Sequence, residues 1–251
     1  MAAPILVPDS ELDFNNGTFD SAAFTAKTLA DWQSLAAVID HTLLRPDATR
    51  QQVESLCEEA VRYRFPCVIV NPVWAPTAVS QLAGCGISVG APIGFPLGAS
   101  LVSTLRQEAA ALIRMGAREL DMVMPIGQLK SGNYQAVHRT IRAAVNVAHP
   151  DGALLKVILE TCLLTVEEKL RASEIAIQAG ADFIKTSTGF STGGATAADV
   201  ALLRGVAGAR CGIKASGGIR TLAAVRDLLE AGANRIGTHA SVAIVREFGA
   251  E

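Results

Sequence analysis

Lysine is scarce in this chain of 251 residues, and three of its six lysines lie where lysine is least expected. Lys156 falls in LKVILE (155–160), Lys185 in DFIKTS (182–187) and Lys214 in GIKAS (212–216), short runs made otherwise mostly of apolar and small residues. Lysine is almost never fully buried unless it is paired. Two ammonium groups held close together disfavour each other's charged form, and burial adds to that effect. A lysine depressed in this way is neutral often enough to attack a carbonyl carbon and form a Schiff base. Lys185 and Lys214, on successive strand segments, are the pair for which this chemistry outweighs a purely structural ion pair. For Lys156 the two readings stay level.

Carboxylates accompany the lysines. Asp121 stands within ELDMVM (119–124), and Asp40 ends AVID (37–40). An unpaired buried carboxylate is costly, so each needs a partner. A salt bridge to one of the lysines is one reading. A proton relay for imine chemistry is the other, and the two are compatible. Glycines supply the second half of a site. Small and hydroxylated residues follow Lys185 in DFIKTSTGFSTGGAT (182–196), among them Thr188 and Gly189. Gly217 and Gly218 follow the next strand, and Gly237, Thr238 and His239 close the last one. Loops at such places hold phosphate through backbone N–H groups and helix N-termini. His239 could add a charge-assisted hydrogen bond there. No metal is expected, because His41, His138, His149 and His239 show no ligand spacing. No GxGxxG follows the first strand, so the dinucleotide-binding pattern is missing.

The elements that must position these residues alternate. Eight short apolar runs, 37–40, 67–71, 87–95, 119–124, 155–160, 182–187, 212–216 and 234–237, are separated by segments with helical spacing such as TRQQVESLCEEAVRY and TVEEKLRASEIAIQAG. Strands that are apolar throughout fit a parallel sheet covered on both faces. Eight βα units in this length predict an α/β fold, a closed (β/α)8 barrel, with an open doubly wound sheet as the alternative. Residues 21–35 read as one helix preceding the barrel. The expected organisation is an N-terminal arm and helix over 1–36 and a catalytic barrel over 37–251.

Bulk properties exclude several classes. A formal charge of −2 argues against a partner nucleic acid held by a basic face. No apolar run reaches the ~20 residues of a membrane helix. The first twenty residues carry no Lys or Arg and no apolar core of a secretory signal, so a cytoplasmic protein is expected. Five cysteines without CxxC spacing read as reduced and buried.

Taken together these residues resemble the deoxyribose-phosphate aldolases, class I enzymes. The resemblance covers roughly residues 37–248 and rests on IDHTLLRPDAT, IGFPLGA, ELDMVMPIGQLKSG, KVILET, GADFIKTSTGF, TGGAT, IKASGGIRT and AGANRIGT. It implies a TIM barrel that uses no cofactor and no metal. It implies reversible cleavage of 2-deoxy-D-ribose 5-phosphate into acetaldehyde and D-glyceraldehyde 3-phosphate, in a homo-oligomer, dimer or tetramer. By motif, Lys185 matches the Schiff-base lysine, Lys214 the lysine that perturbs it, and Asp121 the acid/base partner. Asp40, Thr42 and Lys156 match positions around the substrate, and Gly189, Gly217, Gly218, Gly237 and Thr238 a phosphate cradle. The chain departs from the pattern at Ile69, at His239–Ala240 and in a tail that ends without tyrosine. Two rivals remain at this point: a phosphate-binding barrel isomerase with Asp121 as base, and a phosphosugar-binding protein without turnover.

Overall fold

The computed structural model describes residues 14–15 and 18–250, with side chains from residue 19 onward. Eight parallel strands close into a barrel: β1 (Ile39–Leu43), β2 (Cys67–Val70), β3 (Ser88–Ile93), β4 (Glu119–Val123), β5 (Leu154–Ile158), β6 (Phe183–Lys185), β7 (Gly212–Ser216) and β8 (Arg235–Thr238). Each pairs with the next in chain order, and β8 pairs back onto β1 through Ile236 opposite Ile39. Closure leaves the barrel no free strand edge.

Helices form the outer ring: α3 (Arg50–Tyr63), α4 (Ala75–Gln81), α5 (Val102–Arg114), α6 (Ile126–Lys130), α7 (Tyr134–Ala148), α8 (Val166–Gln178), α9 (Ala197–Ala207), α10 (Leu222–Glu230) and α11 (Ser241–Glu247). The sequence sets their starts. Thr49 and Gln52 form a reciprocal capping box on α3, and Thr165 and Glu168 another on α8. The extra N-terminal segment is present as two helices, α1 (Ser21–Thr28) and α2 (Trp32–Ala36), rather than one over 21–35. The break has a local cause. The Asp31 carboxylate accepts from the Ser34 amide at 2.7 Å and starts a new helix there. Among the described residues no helix is long and apolar enough to cross a membrane.

Side chains alternate along each strand and so sort into two environments. Outward-facing Val68, Val70, Leu120, Met122, Val157, Ile184, Ile213 and Ile236 pack beneath helix faces such as Val53, Leu56 and Ala60 of α3 and Val137, Ile141 and Ala144 of α7. Each aliphatic side chain buried there contributes about 1.5–3 kcal/mol. The hydrophobic core is therefore the shell between sheet and helices. The inward set differs: Asp40, Cys67, Glu119, Asp121, Lys156, Lys185, Lys214 and Arg235 are all buried within the barrel. The cysteine expectation holds in part. All five are free, but only Cys57, Cys67 and Cys211 are buried; Cys85 and Cys162, the latter in a single 3-10 turn (Thr161–Leu163), are exposed.

Candidate active site

The three strand lysines meet around one carboxylate. Asp121 on β4 stands opposite Lys156 on β5, and Lys185 on β6 stands opposite Lys214 on β7. Lys185 Nζ donates to Asp121 Oδ2 at 2.7 Å, and Lys214 Nζ donates to the same oxygen at 2.8 Å. Lys156 Nζ donates to Asp121 Oδ1 at 2.9 Å. Asp40 on β1 completes the ring, 2.5 Å from Lys214 Nζ and 3.7 Å from Lys156 Nζ. The pairing expected from sequence thus forms, and Asp121 is its hub.

Two members were not singled out in the sequence. Arg235 donates to Asp40 Oδ1 at 3.0 Å, and Glu119 forms an ion pair with Lys156. Each had a signal available. Glu119 is two residues before Asp121, and Arg235 two before Gly237, so strand alternation places both inside the barrel. Asp40, Cys67 and Glu119 bring donor atoms of metal-ligating type within 4.8 Å of one another. The ammonium of Lys156, paired to both carboxylates, supplies the positive charge at that point.

The cluster holds four bases, Lys156, Lys185, Lys214 and Arg235, against three carboxylates, Asp40, Glu119 and Asp121. One base can lose its proton and leave a neutral set. Lys185 is that base. Burial, and then the charges of Lys214 and Lys156, outweigh the pull of Asp121 and lower its pKa to about 8. Lys156 moves the other way: burial opposes its charge, but Asp121, Glu119 and Asp40 hold it well above the usual lysine value. Burial alone would raise Asp121, yet the three lysines keep its carboxyl well below the ordinary range. Asp40, likewise buried, is held down to about 2 by Lys214, Arg235 and Lys156. Burial, with Glu119 and Asp40 beside it, pushes the Cys67 thiol well up.

An open cavity of about 820 Å3 lies over this cluster at the C-terminal end of the barrel. Of the three strand lysines only Lys185 borders it; Lys156 and Lys214 lie beneath. Thr42, Thr188, Gly189, Gly217, Gly218, Gly237, Thr238 and His239 all line its walls. Their polar groups are not equally available. The Thr238 hydroxyl donates to the Ile219 carbonyl at 2.6 Å and accepts from the Ala240 amide at 3.0 Å, tying the loop after β7 to the one after β8. The Thr188 hydroxyl donates to Glu160 and accepts from the Phe190 amide at 3.0 Å. Thr42 donates to the carbonyl of Asp40 at 2.9 Å. By contrast, the amides of Gly189, Gly217 and Gly218 make no backbone hydrogen bond among the described residues. Gly217 and Gly218 adopt φ of 90° and 78°, a conformation that glycine takes without strain. Gly237 serves a different need: a Cβ there would lie 2.8 Å from Cε of Lys214, so its absence lets that lysine cross the strand. His239 is exposed at the rim, whereas His41 is buried on the outer face of β1 with Nε2 2.7 Å from Glu59.

Comparison with known proteins points to one family. A family model described as DeoC/LacD family aldolase matches residues 34–247. A deoxyribose-phosphate aldolase of Geobacillus sp. (strain WCH70) is 53% identical over 212 residues, spanning 84% of this chain and 95% of the relative. One of Listeria monocytogenes is 54% identical over the same shares. Among solved structures, a putative deoxyribose-phosphate aldolase from Coccidioides immitis superposes with a TM-score of 0.84 at 40% identity, covering 86% of each chain. The deoxyribose phosphate aldolase of Aeropyrum pernix, described as a unique tetramer, does so with 0.84 at 34% identity, over 91% of this chain and 97% of its own. With a family model matching residues 34–247, relatives 53–54% identical over 84% of its length and solved aldolase barrels that superpose on it, the chain belongs to the DeoC/LacD family of aldolases.

Proposed function

We propose that the chain is a deoxyribose-phosphate aldolase that cleaves 2-deoxy-D-ribose 5-phosphate reversibly to acetaldehyde and D-glyceraldehyde 3-phosphate through an imine on Lys185. The observation that carries this reading is one buried lysine, poised near pH 8 by burial and the charges of its neighbours and bordering a cavity with free glycine amides on its rim. The neutral Lys185 amine adds to C1 of the open-chain sugar, and loss of water leaves an iminium ion. The C3 hydroxyl gives up its proton, the C2–C3 bond breaks, and its electron pair flows into the iminium to form an enamine. The two-carbon fragment stays on Lys185, and glyceraldehyde 3-phosphate departs. Protonation of C2 and hydrolysis of the imine then release acetaldehyde.

Asp121, kept ionised, stabilises the iminium cation that replaces the Lys185 ammonium. Lys214, on the same carboxylate oxygen, is the nearest proton donor, so the Lys214–Asp121 pair moves the proton between the C3 hydroxyl and C2, through a water. Asp40 and Lys156 fix this pair in place, and Thr42 borders the sugar. The amides of Gly189, Gly217 and Gly218 receive the phosphate, with Thr188, Gly237, Thr238 and His239 shaping its pocket.

The catalytic unit is the barrel over 37–251, with 1–36 as an appended arm. Free cysteines fit a reducing cytoplasm. The tetrameric Aeropyrum relative supports a homo-oligomer. The test is borohydride reduction in the presence of deoxyribose 5-phosphate, followed by peptide mass spectrometry. The expected adduct is a reduced two-carbon fragment or sugar on Lys185. An isomerase or a passive binding protein yields none.

A further inference from the structure

Glu160 is an anomaly at the mouth of the barrel. It follows β5, is buried with a relative exposure of 2%, and adopts φ 57° and ψ 64°. Among the described residues only one other non-glycine has positive φ: Arg64, at the C-cap of α3, where left-handed geometry is common. Glu160 caps no α-helix C-terminus. Strain of this kind costs of order 1–3 kcal/mol and persists only where the surroundings over-determine it.

The carboxylate shows what is gained. Its two oxygens face the Thr188 amide at 3.4 and 3.3 Å, and the Thr188 hydroxyl donates to Oε2. That hydroxyl accepts from the amide of Phe190, whose ring meets the edge of Phe95 at 5.2 Å. Glu160 therefore holds both flanks of Gly189. Gly189, at φ 84°, in turn packs on Gly217: a Cβ at Gly189 would lie 3.9 Å from the Gly217 Cα. The Lys185 end of the strand is held separately. Its carbonyl accepts from Leu159 and that of Thr186 from Thr161, both through the backbone.

We propose that Glu160 is a positioning residue that sets the loop after β6 against the loop after β7, and so fixes the spacing of the Gly189 and Gly217 amides that receive the phosphate. The inference rests on the phosphate reading above, and it separates two tasks. The Glu160 side chain governs affinity for the phosphate group, while the backbone ladder governs the place of Lys185. Occupation of the Thr188 and Phe190 amides also directs the ligand to the one amide between them, that of Gly189.

Glu160→Gln retains the volume but sets an amide donor against the Thr188 N–H. Its expected effect is a rise of roughly tenfold in KM for deoxyribose 5-phosphate, the scale of one charged hydrogen bond, with less than about a twofold change in kcat/KM for unphosphorylated deoxyribose. Thr188→Val removes the hydroxyl link without altering shape and raises the KM for deoxyribose 5-phosphate in the same way, which keeps the test open should the first variant fold poorly. Glu160→Asp, a shorter carboxylate, restores part of the affinity. Calorimetric binding of glycerol 3-phosphate, which needs no turnover, weakens in parallel. Equal losses on both sugars, or unchanged KM and glycerol 3-phosphate binding in both variants, overturn the proposal. Failure of the wild type to cleave deoxyribose 5-phosphate overturns the functional reading instead, and the glycerol 3-phosphate arm still decides the role of Glu160.

Discussion

Beneath the cavity the barrel is lined by charged side chains at ion-pair distance, while its rim carries free backbone amides on glycine turns. Side-chain identity sets the electrostatics of the floor. One substitution there adds or removes a charge in a nearly dry setting, where Coulomb interactions are strong. Backbone path sets the rim, and one substitution there moves an amide. Changes in the floor should therefore appear in rate and pH dependence, and changes in the rim in affinity for the phosphate. Buried ion clusters of this kind are weak evidence for stability, because desolvation opposes the pairing. Seven charged side chains inside the barrel make sense as a device for holding one amine near pH 8.

The sharpest way to break the contrast is Lys185→Met. With Lys185 neutral, three cations already face three carboxylates, so methionine leaves the charge balance intact and fills nearly the same volume. The variant should fold with a melting temperature close to that of the wild type and lose roughly a thousandfold or more in kcat, because no imine forms. It should still bind glycerol 3-phosphate with wild-type affinity, since the rim is untouched. Joint loss of binding and turnover would show that floor and rim are not separable.

Lys214→Met comes next. From sequence alone its sign is ambiguous: removing a like charge raises the pKa of Lys185, and more apolar surroundings lower it. The geometry adds a third effect. Lys214 shares Asp121 Oδ2 with Lys185, so its removal gives that oxygen wholly to Lys185. Two effects then favour the ammonium. The amine is reactive only when neutral, so imine formation should rise through pH 8 in the wild type and flatten above it. In the variant the inflexion moves alkaline by roughly one pH unit or more, and kcat/KM at pH 7 falls roughly a hundredfold, since the proton donor is lost as well. The pH profile of borohydride trapping reads this directly. An acid shift would place burial above charge in the floor.

How far the two regions were legible in the sequence follows the same division. Lysine in an apolar strand violates a strong rule, so Lys156, Lys185, Lys214 and Asp121 announce themselves, and the alternation of strands and helices places them at one end of a barrel. The partners were harder. Glu119 and Arg235 look like strand-end residues that any solvent-facing position would tolerate, and only their alternation with Asp121 and Gly237 marks them as inward. The rim was least legible, because a backbone amide has no letter. Thr188 and Thr238 read as ligands by type, yet their hydroxyls are spent on neighbouring loops, and Gly237 reads as part of the cradle but clears the path of Lys214. Glu160 gave no sign, since a left-handed glutamate cannot be told from a helical one by composition. The division of α1 from α2 was encoded in Asp31 and Ser34, a local capping signal that the apolar spacing of 21–35 concealed.

On the rim, Gly194→Ala tests whether the backbone path sets affinity. Gly194 lies across the loop after β7, where an added Cβ would be 2.2 Å from the Gly217 carbonyl oxygen and 2.6 Å from its carbon. Neither atom belongs to a flexible side chain, so the Gly217–Gly218 turn must shift. Misplacement on the ångström scale costs up to roughly a hundredfold where geometry is precise, and roughly tenfold in KM for deoxyribose 5-phosphate is expected here. The pH profile of kcat should overlay that of the wild type. A moved inflexion would mean that the floor feels the rim.

The smallest effect is expected at His239, which brings an imidazole to the rim beside the glycine turns. It stands in the loop after β8, exposed, and without a hydrogen-bond partner among the described residues. A protonated imidazole there adds a charge-assisted hydrogen bond to a phosphate oxygen, but in an exposed position such a pair is worth no more than about 1 kcal/mol, or about fivefold in affinity. The informative quantity is the ratio of wild-type to His239→Ser KM for deoxyribose 5-phosphate at one fixed pH, taken from low to high ionic strength. If the imidazole pairs with the phosphate, the serine variant should bind about threefold more weakly at low ionic strength and equally well at high, because an exposed pair is screened. Unphosphorylated deoxyribose should show no such trend. A ratio that stays flat with salt makes His239 a bystander.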